Sequence, residues 1–172
     1  VGRRGACDLE AKMGRRLTVY PEKCTGCRLC ELACSFNKTG LFNAVYSRVR
    51  VSAFGMEAFY IPIVCRQCED AWCLRACPSG SIFRDPKDKV VKIDEERCVG
   101  CRMCIMACPF GAVTFYAPHG KAIKCDECSG DPQCAKICAT GALTYEEEYA
   151  EPQAKRAKTA RKILSGVKEA QS

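Results

Sequence analysis

The feature that most constrains this chain is a cysteine pattern that occurs four times. Each run opens with two cysteines separated by two residues and closes with two separated by three, and only the central gap varies. The runs contain Cys24, Cys27, Cys30 and Cys34; Cys65, Cys68, Cys73 and Cys77; Cys98, Cys101, Cys104 and Cys108; and Cys125, Cys128, Cys134 and Cys138. They account for sixteen of the seventeen cysteines, so the pattern decides what this chain folds around.

The spacing indicates ligands for [4Fe–4S] clusters. Two residues between cysteines form a tight loop that directs three thiolates to three irons of one cluster. The fourth cysteine follows after one helical turn, points away and ligates a different cluster. In the third run Pro109 follows Cys108 directly and predicts the end of that helix. The alternative is four zinc sites of four thiolates each, but zinc ligands usually come as two separated pairs.

The cysteine content bears on the compartment. Cysteine makes up about a tenth of the chain, which would favour disulfides in a short secreted protein. Clustering into ligand runs, with no recognisable secretory signal, favours metal binding in a reducing compartment instead. No apolar run approaches the length of a membrane helix. We therefore expect a cytoplasmic protein with no membrane span.

The positive charge has a specific interpretation. The formal net charge is +7, but four clusters of roughly two negative charges each would bring the loaded protein close to neutrality. The basic residues are thus predicted to be counter-charge to clusters, and a nucleic-acid partner is not expected. Arg28, Arg66, Arg102 and Lys124 lie beside ligand cysteines, where a positive charge would raise a reduction potential. For each of them, an ordinary surface charge is the alternative.

Between the runs the sequence predicts short strands. Residues 17–20 precede the first run, alternation predicts a strand over residues 45–51, and residues 59–64 form another. The last two are expected to pair as a hairpin over residues 54–55. Trp72, the only tryptophan, lies in the longer gap of the second run and is expected to shield a cluster.

An internal repeat follows three of the runs. Residues 78–82, 109–113 and 139–143 each contain a glycine at the third position and then an apolar strand start. The glycines are predicted to be helix C-caps, as is Gly40 after the first run. A helix, a glycine and a strand therefore follow each ligand loop.

The four runs resemble those of the four-cluster ferredoxin-like iron–sulfur electron-transfer subunits of the dimethyl-sulfoxide-reductase type, over about residues 18–146. The resemblance implies an α+β fold of two pseudo-symmetric bacterial-ferredoxin-like dicluster modules, loop-rich, with short strands and a C-terminal helix. The implied organisation is a leader (1–17), an outer module with runs one and four (18–58 and 118–146), an inner module with runs two and three (59–117), and a C-terminal tail (147–172).

In that family the first run pairs with the fourth and the second with the third, which implies four ligand sets. Set 1 is Cys24, Cys27, Cys30 and Cys138. Set 2 is Cys125, Cys128, Cys134 and Cys34. Set 3 is Cys65, Cys68, Cys73 and Cys108. Set 4 is Cys98, Cys101, Cys104 and Cys77.

The resemblance implies a non-catalytic subunit that carries four [4Fe–4S] clusters and relays single electrons. The compact form is most similar to the small subunits accompanying tungsten- or molybdenum-pterin enzymes such as aldehyde oxidoreductase. The implied partners are that catalytic subunit and a flavin- or NAD-linked subunit or a soluble ferredoxin. An iron–sulfur carrier or assembly protein is the alternative function.

Two features lie outside the cysteine runs. Cys7, the seventeenth cysteine, is expected to be a free thiol in the leader. An apolar stripe of Ala157, Ala160, Leu164 and Val167 predicts an amphipathic helix over residues 153–170. That helix is expected to dock on the catalytic subunit or on a second copy of this chain, or to fold back on its own core.

Overall fold

The structure is a computed structural model, and it describes residues 14–147. Residues 17–145 form one compact unit. Cys7 and the predicted tail helix lie outside the described residues. The described residues contain all four cysteine runs.

Within residues 14–147 the fold consists of short strands and short helices joined by loops. The strands are β1 (Arg15–Val19), β2 (Arg50–Phe54), β3 (Phe59–Ile63), β4 (Ile82–Arg84), β5 (Val91–Ile93), β6 (Val113–Tyr116), β7 (Lys121–Lys124) and β8 (Leu143–Glu147). The α-helices are α1 (Leu29–Thr39), α2 (Trp72–Arg75), α3 (Met103–Ala107) and α4 (Gln133–Lys136). None of the helices described is long and apolar enough to cross a bilayer.

The strands form four two-stranded sheets. β2 pairs with β3, β4 with β5 and β6 with β7, each as an antiparallel hairpin. β1 pairs with β8, which brings the start of the first run beside the end of the fourth. Two-stranded ribbons are only marginally stable alone in water, so they depend on the cores beneath them.

Each ligand run contains a helix that begins one residue before its third cysteine, and in three cases a strand follows the run at the expected place. Gly40 caps α1 as predicted: its φ is 71°, and its N–H donates to the Phe36 carbonyl at 2.8 Å. β4, β6 and β8 begin at Ile82, Val113 and Leu143, within the three repeat segments.

The other three glycines differ from their prediction as helix C-caps. α2, α3 and α4 end before the fourth cysteine, and each glycine lies in the turn after it. The N–H of Gly80 donates to the Cys77 carbonyl at 3.2 Å, and Gly111 and Gly141 make the same bond to Cys108 and Cys138. Their φ angles of 60°, 60° and 66° explain why glycine stands there.

The strand predicted over residues 45–51 begins later than expected. Asn43 accepts a hydrogen bond from the Val45 N–H at 3.0 Å and caps a short 3₁₀ helix over Ala44–Tyr46. This local cap competes with the alternating pattern, so extended pairing starts only at Arg50. The predicted hairpin with the following strand is confirmed, and its turn-side pair is Phe54 with Phe59.

The buried side chains form two separate cores. The first contains Leu17, Val49, Val51, Val64 and Leu143, packed with cysteines of runs one and four. The second contains Ala71, Ile82, Val91, Val113 and Ala122, packed with cysteines of runs two and three. Aliphatic residues therefore surround the sulfurs in both cores.

Candidate iron–sulfur centres

The cysteines of set 3 surround a cavity of about 410 Å³. Cys65, Cys68 and Cys73 come from the loop between β3 and α2 and from α2 itself, and Cys108 follows α3 directly. The rest of the lining is mainly apolar and includes Val91, Phe110 and Val113. The cavity thus receives three sulfurs from one run and one from the next.

Two further cavities, both narrower, show the same three-plus-one composition. One is lined by Cys98, Cys101 and Cys104 of run three with Cys77 of run two. The other is lined by Cys24, Cys27 and Cys30 of run one with Cys138 of run four. These groups are the residues of sets 4 and 1.

The cysteines of set 2 lie close together in the first core. Cys34 lies on α1, Cys125 follows β7 directly, and Cys134 lies on α4. All three are buried in that core. Burial, with a smaller contribution from the neighbouring Cys34 and Cys128, raises the pKa of the Cys134 thiol to about 12. The sulfur of Cys128 accepts a hydrogen bond from Asn37 Nδ2 at 3.4 Å, which ties run four to α1.

The three-plus-one grouping follows from the local fold. The first three cysteines of a run lie on a loop and the helix start, and the short helix then carries the fourth to the opposite side. In the described residues, no three His, Cys, Asp or Glu side chains converge closely enough to hold a single metal ion. The sulfurs of set 3 surround a cavity instead, which is the arrangement that a cluster with its own inorganic core requires.

Two glycines allow the ligand loops to close tightly. Gly26 and Gly100 occupy equivalent positions in runs one and three, with φ angles of 72° and 71°. A Cβ on Gly100 would lie 2.3 Å from the Gly120 carbonyl oxygen, and one on Gly26 would lie 2.5 Å from the Tyr60 ring. Only glycine fits these loops.

Hydrogen bonds reach several of the sulfurs. Cys77 Sγ lies 3.2 Å from Ser81 Oγ and 3.6 Å from Ser79 Oγ. Cys138 Sγ accepts from the Leu143 N–H at 3.4 Å, and Cys34 Sγ accepts from the Arg48 N–H at 3.3 Å. Such bonds stabilise sulfur that carries negative charge and so tune a bound cluster.

The thiol pKa values differ according to these surroundings. Burial raises the pKa of Cys30 to about 12 and that of Cys104 to about 11. Burial also acts on Cys77, but hydrogen bonds from Ser81 and Ser79 lower its pKa to about 7. Because iron binds thiolates, loading these sites must release protons, chiefly from the buried sulfurs.

The four basic residues singled out in the sequence all line the cysteine cavities. Arg28 lines the set 1 cavity, Arg66 lines that of set 3, and Arg102 lines that of set 4. Arg102 also lies over the Phe115 ring, 4.0 Å from its centroid. Lys124 lines the set 3 cavity and is 3% exposed, so it is an interior cation and not a surface charge.

Trp72 lines the set 3 cavity, but 64% of its surface is exposed. It therefore forms part of the cavity rim and covers the cavity less than the sequence suggested.

Sequence reasoning missed Gln67 and Ser81, both of which are buried. Gln67 contacts Cys125 of run four, and Ser81 contacts Cys77. The repeat carries a signal for Ser81, because a serine stands where the other copies have alanine; no pattern marks Gln67.

Comparison with known proteins agrees with this chemistry. The family described as "4Fe-4S dicluster domain" matches residues 56–148, and "4Fe-4S binding domain" matches residues 17–37. The polyferredoxin-like subunit of aliphatic sulfonate oxidoreductase from Pyrococcus furiosus is 38% identical over 122 residues, covering 71% of this chain and 70% of that protein.

Two further relatives are subunits of larger oxidoreductases. The B subunit of anaerobic dimethyl sulfoxide reductase from Escherichia coli is 36% identical over 141 residues, covering 72% of this chain and 68% of that subunit. The beta subunit of NADH-dependent phenylglyoxylate dehydrogenase from Aromatoleum evansii is 34% identical over 140 residues. The match covers 77% of this chain but 31% of that beta subunit.

Proposed function

The chain belongs to the 4Fe–4S dicluster family, among the ferredoxin-like iron–sulfur subunits of oxidoreductases. We propose that it carries four [4Fe–4S] clusters, one in each of sets 1 to 4. It relays single electrons between a catalytic subunit and a second redox partner. The observation that carries the proposal is the grouping of cysteines as three from one run and one from another around a shared cavity.

The neighbour relations among the sulfurs support a linear order of the sets. Cys30 of set 1 is among the neighbouring thiols that raise the pKa of Cys134 in set 2, and Cys65 of set 3 is among those that raise the pKa of Cys125 in set 2. Sets 3 and 4 share the second core. The proposed path therefore runs through sets 1, 2, 3 and 4 in turn.

The two cores support the proposed pair of dicluster modules, outer for runs one and four and inner for runs two and three. Strands at the proposed boundaries cross between them. Tyr60 and Val64 pack on the first core although they lie within residues 59–117, and Ala122 packs in the second although it lies within 118–146.

The clusters supply one-electron redox chemistry when bound, and the protein sets their surroundings. Cysteine thiolates hold them, and aliphatic side chains of both cores limit water. Hydrogen bonds to Cys34, Cys77 and Cys138 favour negative charge on those sulfurs. No other chemistry is required of this chain, because substrate turnover belongs to the partner.

For the catalytic partner we propose a tungsto- or molybdopterin oxidoreductase subunit. The similarity to subunits of aliphatic sulfonate oxidoreductase and dimethyl sulfoxide reductase supports an oxidoreductase partner of this general kind. For the second partner we propose a flavin- or NAD-linked subunit or a soluble ferredoxin, and a relative named as NADH-dependent supports the NAD-linked choice. The many thiolate ligands favour a reducing compartment, the cytoplasm.

Metal analysis tests the cofactor assignment. Anaerobically purified protein should contain about sixteen iron and sixteen sulfide per chain, because each set of four thiolates holds one cluster. The matched control is Cys7→Ser, which removes the cysteine outside the four runs and should leave both counts unchanged. Iron below half of the expected count, with zinc in stoichiometric amount, would contradict the proposal.

A second measurement separates an electron-transfer subunit from an iron–sulfur carrier. Clusters that belong to a relay should stay bound during an anaerobic challenge with an iron chelator, and each should be reduced and reoxidised without loss of iron. A carrier would transfer its clusters to the chelator or to an apo-protein. Purification from the native host, with identification of the large subunit, tests the partner assignment.

A further inference from the structure

Lys124 is a charged residue in the interior of the cysteine-binding unit. It is the last residue of β7, directly before the first cysteine of run four, and 3% of it is exposed. A lysine ammonium is rarely buried to this extent, because it must exchange its water shell for hydrogen bonds within the protein. The question is what the protein gains from a cation at this position.

The contacts of Lys124 satisfy the ammonium group. Its Nζ donates to the Val91 carbonyl, to the Cys125 carbonyl at 3.2 Å, and to Gln67 Oε1 at 3.5 Å. Three acceptors match the three N–H bonds of a protonated lysine. Each of the three is a neutral oxygen, so the positive charge is held in place without being cancelled by these partners.

Carboxylates near this position have other partners. Glu95 and Asp126 line a crevice that Lys124 also touches, together with Asp94. Asp126 pairs with Lys38 at 2.8 Å and with Arg48 at 3.3 Å, and Glu95 pairs with Arg48. Among residues 14–147, no ion pair is formed by Lys124 itself. Its field therefore acts on whatever negative charge the cysteine sets hold.

Lys124 lies between two of those sets. Its side chain lines the set 3 cavity, and its ammonium contacts the backbone of Cys125, a member of set 2. Lys124 therefore shares its cavity with the four cysteines of set 3.

Gln67 fixes the geometry of this junction. It lies between Cys65 and Cys68 in the loop of run two and is 7% exposed. Its Nε2 donates to the Cys125 carbonyl at 2.9 Å, and its Oε1 accepts from the Val91 N–H at 2.9 Å. A side chain from run two therefore holds the loop of run four and an acceptor for Lys124.

We propose that Lys124 is a fixed internal counter-charge that raises the reduction potential of the cluster in set 3, and to a smaller extent that of the cluster in set 2. The inference rests on the proposed function, since it needs clusters in both sets. A reduced cluster carries one more negative charge than an oxidised one, so a nearby cation stabilises the reduced form. One electron enters, and no bond forms or breaks.

The consequence concerns the middle of the relay. Sets 2 and 3 are where the path passes between the two cores, and Lys124 with Gln67 bridges that junction. A raised potential there makes the central clusters accept electrons more readily than they otherwise would. Lys124 is thus a tuning residue for transfer between the outer and inner pairs and holds no iron itself.

The test is a redox titration of the loaded protein with dithionite, followed by electron paramagnetic resonance, on Lys124→Met, Lys124→Gln and Lys124→Arg. Iron content is measured first, so a chain without clusters would disprove the proposed function and not this inference. The signal of set 3 is identified as the one lost in Cys108→Ser. In the Met and Gln variants the equilibrium constant for reduction of the set 3 cluster should fall at least tenfold. For a one-electron couple, a tenfold fall lowers the reduction potential by 59 mV.

The controls separate charge from packing. Lys124→Arg keeps the charge and should retain most of the wild-type potential. Lys92→Met removes an equal charge from a side chain that is 21% exposed and pairs with Asp85 and Asp88, at 2.7 and 2.6 Å, so water screens the change and the set 3 potential should move much less. Full iron with an unchanged potential in Lys124→Gln, or an equal fall in Lys124→Arg, would overturn the inference.

A second route applies if neither neutral variant retains its iron. Gln67→Glu places a carboxylate beside the Lys124 ammonium and cancels its charge while the lysine remains. The potential of set 3 should then fall, as in the neutral variants. If Gln67→Glu loads fully and leaves that potential unchanged, the proposed role of Lys124 is wrong.

Discussion

The turns that follow Cys77 and Cys108 have the same backbone and different chemistry. Each closes with a hydrogen bond from a glycine N–H, that of Gly80 or Gly111, to the cysteine carbonyl, and both glycines have a φ of 60°. In the first turn two serine hydroxyls approach the Cys77 sulfur. The second turn has Phe110 and Ala112 at those positions, and in the described residues no hydroxyl contacts the Cys108 sulfur.

The repeat therefore determines where a sulfur lies but not how strongly its negative charge is stabilised. The Cys77 turn serves set 4, in a narrow cavity that the two serines help to line. The Cys108 turn belongs to set 3, in a wide and mainly apolar cavity whose basic lining residues are Arg66 and Lys124. Two similar ligand positions are therefore expected to give clusters of different potential.

The largest expected effect comes from removing the two cysteines themselves. Cys108→Ser should damage the cluster of Cys65, Cys68 and Cys73, and Cys77→Ser should damage that of Cys98, Cys101 and Cys104, because in the proposed sets each fourth cysteine serves the other run. Each variant should lose up to four of about sixteen irons. Mössbauer and electron paramagnetic resonance spectra of the two variants should show complementary losses.

The double variant Cys77→Ser/Cys108→Ser is the control for that pairing. Its spectrum should lack both signals, whereas each single variant should retain the signal that the other loses. If Cys108→Ser instead abolishes the cluster of its own run and spares Cys65, Cys68 and Cys73, the ligand sets are wrong.

The next effect concerns the shared backbone. Gly80→Ala and Gly111→Ala should each destabilise the loaded protein by about 1–2 kcal/mol, because both glycines have positive φ. Near Gly111 there is open space, and near Gly80 only a flexible arginine side chain lies within 3.2 Å. Release of iron in guanidinium should therefore be about 5- to 30-fold faster in both.

Gly100→Ala is the reference for a glycine that cannot be replaced. Its Cβ would meet the Gly120 carbonyl oxygen at 2.3 Å, so backbone must move as well. Iron release should be faster than in either turn variant. Unequal effects of Gly80→Ala and Gly111→Ala, by more than about tenfold, would show that the two turns do not share one backbone state.

The sequence predicted the positions of the ligand loops better than their surroundings. Spacing alone placed the four runs, because covalent geometry limits which sulfurs a short loop can bring together. The glycine at position 111 was recognised, yet its role as a C-cap was wrong, since α3 ends before Cys108. A glycine in such a position indicates a left-handed backbone conformation. Which carbonyl accepts its N–H, however, depends on where the preceding helix ends.

Burial was the property least accessible to sequence. Lys124 and Arg66 both neighbour ligand cysteines, and nothing in the chain distinguishes the lysine that becomes 3% exposed. Its burial comes from contacts with Gln67 and Val91, which are 57 and 33 residues away. Likewise the alternation over residues 45–51 did not reveal that the Asn43 cap would delay the strand.

A smaller effect is expected from exchanging the hydroxyl between the two turns. Ser81→Ala removes a buried hydrogen bond to Cys77 Sγ and should lower the potential of the set 4 cluster by roughly 40 mV, which corresponds to about 1 kcal/mol. Ala112→Ser adds a hydroxyl at the equivalent position and should raise the potential of set 3. Redox titrations of both variants would measure the two shifts.

The reciprocal design provides its own control. The double variant Ser81→Ala/Ala112→Ser should change the difference between the potentials of sets 3 and 4 by the sum of the single shifts, because the two sulfurs belong to different sets. A lower reduction potential of set 3 in Ser81→Ala would contradict the assignment of Cys77 to set 4. An unchanged set 3 potential in Ala112→Ser would mean that the second turn cannot present a hydroxyl to Cys108.

The smallest effect is expected at Ser79, the second hydroxyl of the Cys77 turn. Its oxygen lies 3.6 Å from Cys77 Sγ, against 3.2 Å for Ser81, and it is partly exposed whereas Ser81 is 2% exposed. Water can replace an exposed donor but not a buried one, so Ser79→Ala should shift the set 4 potential by less than half of the Ser81→Ala shift. The same titration measures both on protein of equal iron content. A shift at Ser79 as large as that at Ser81 would show that hydroxyl number, and not burial, determines how this turn stabilises its sulfur.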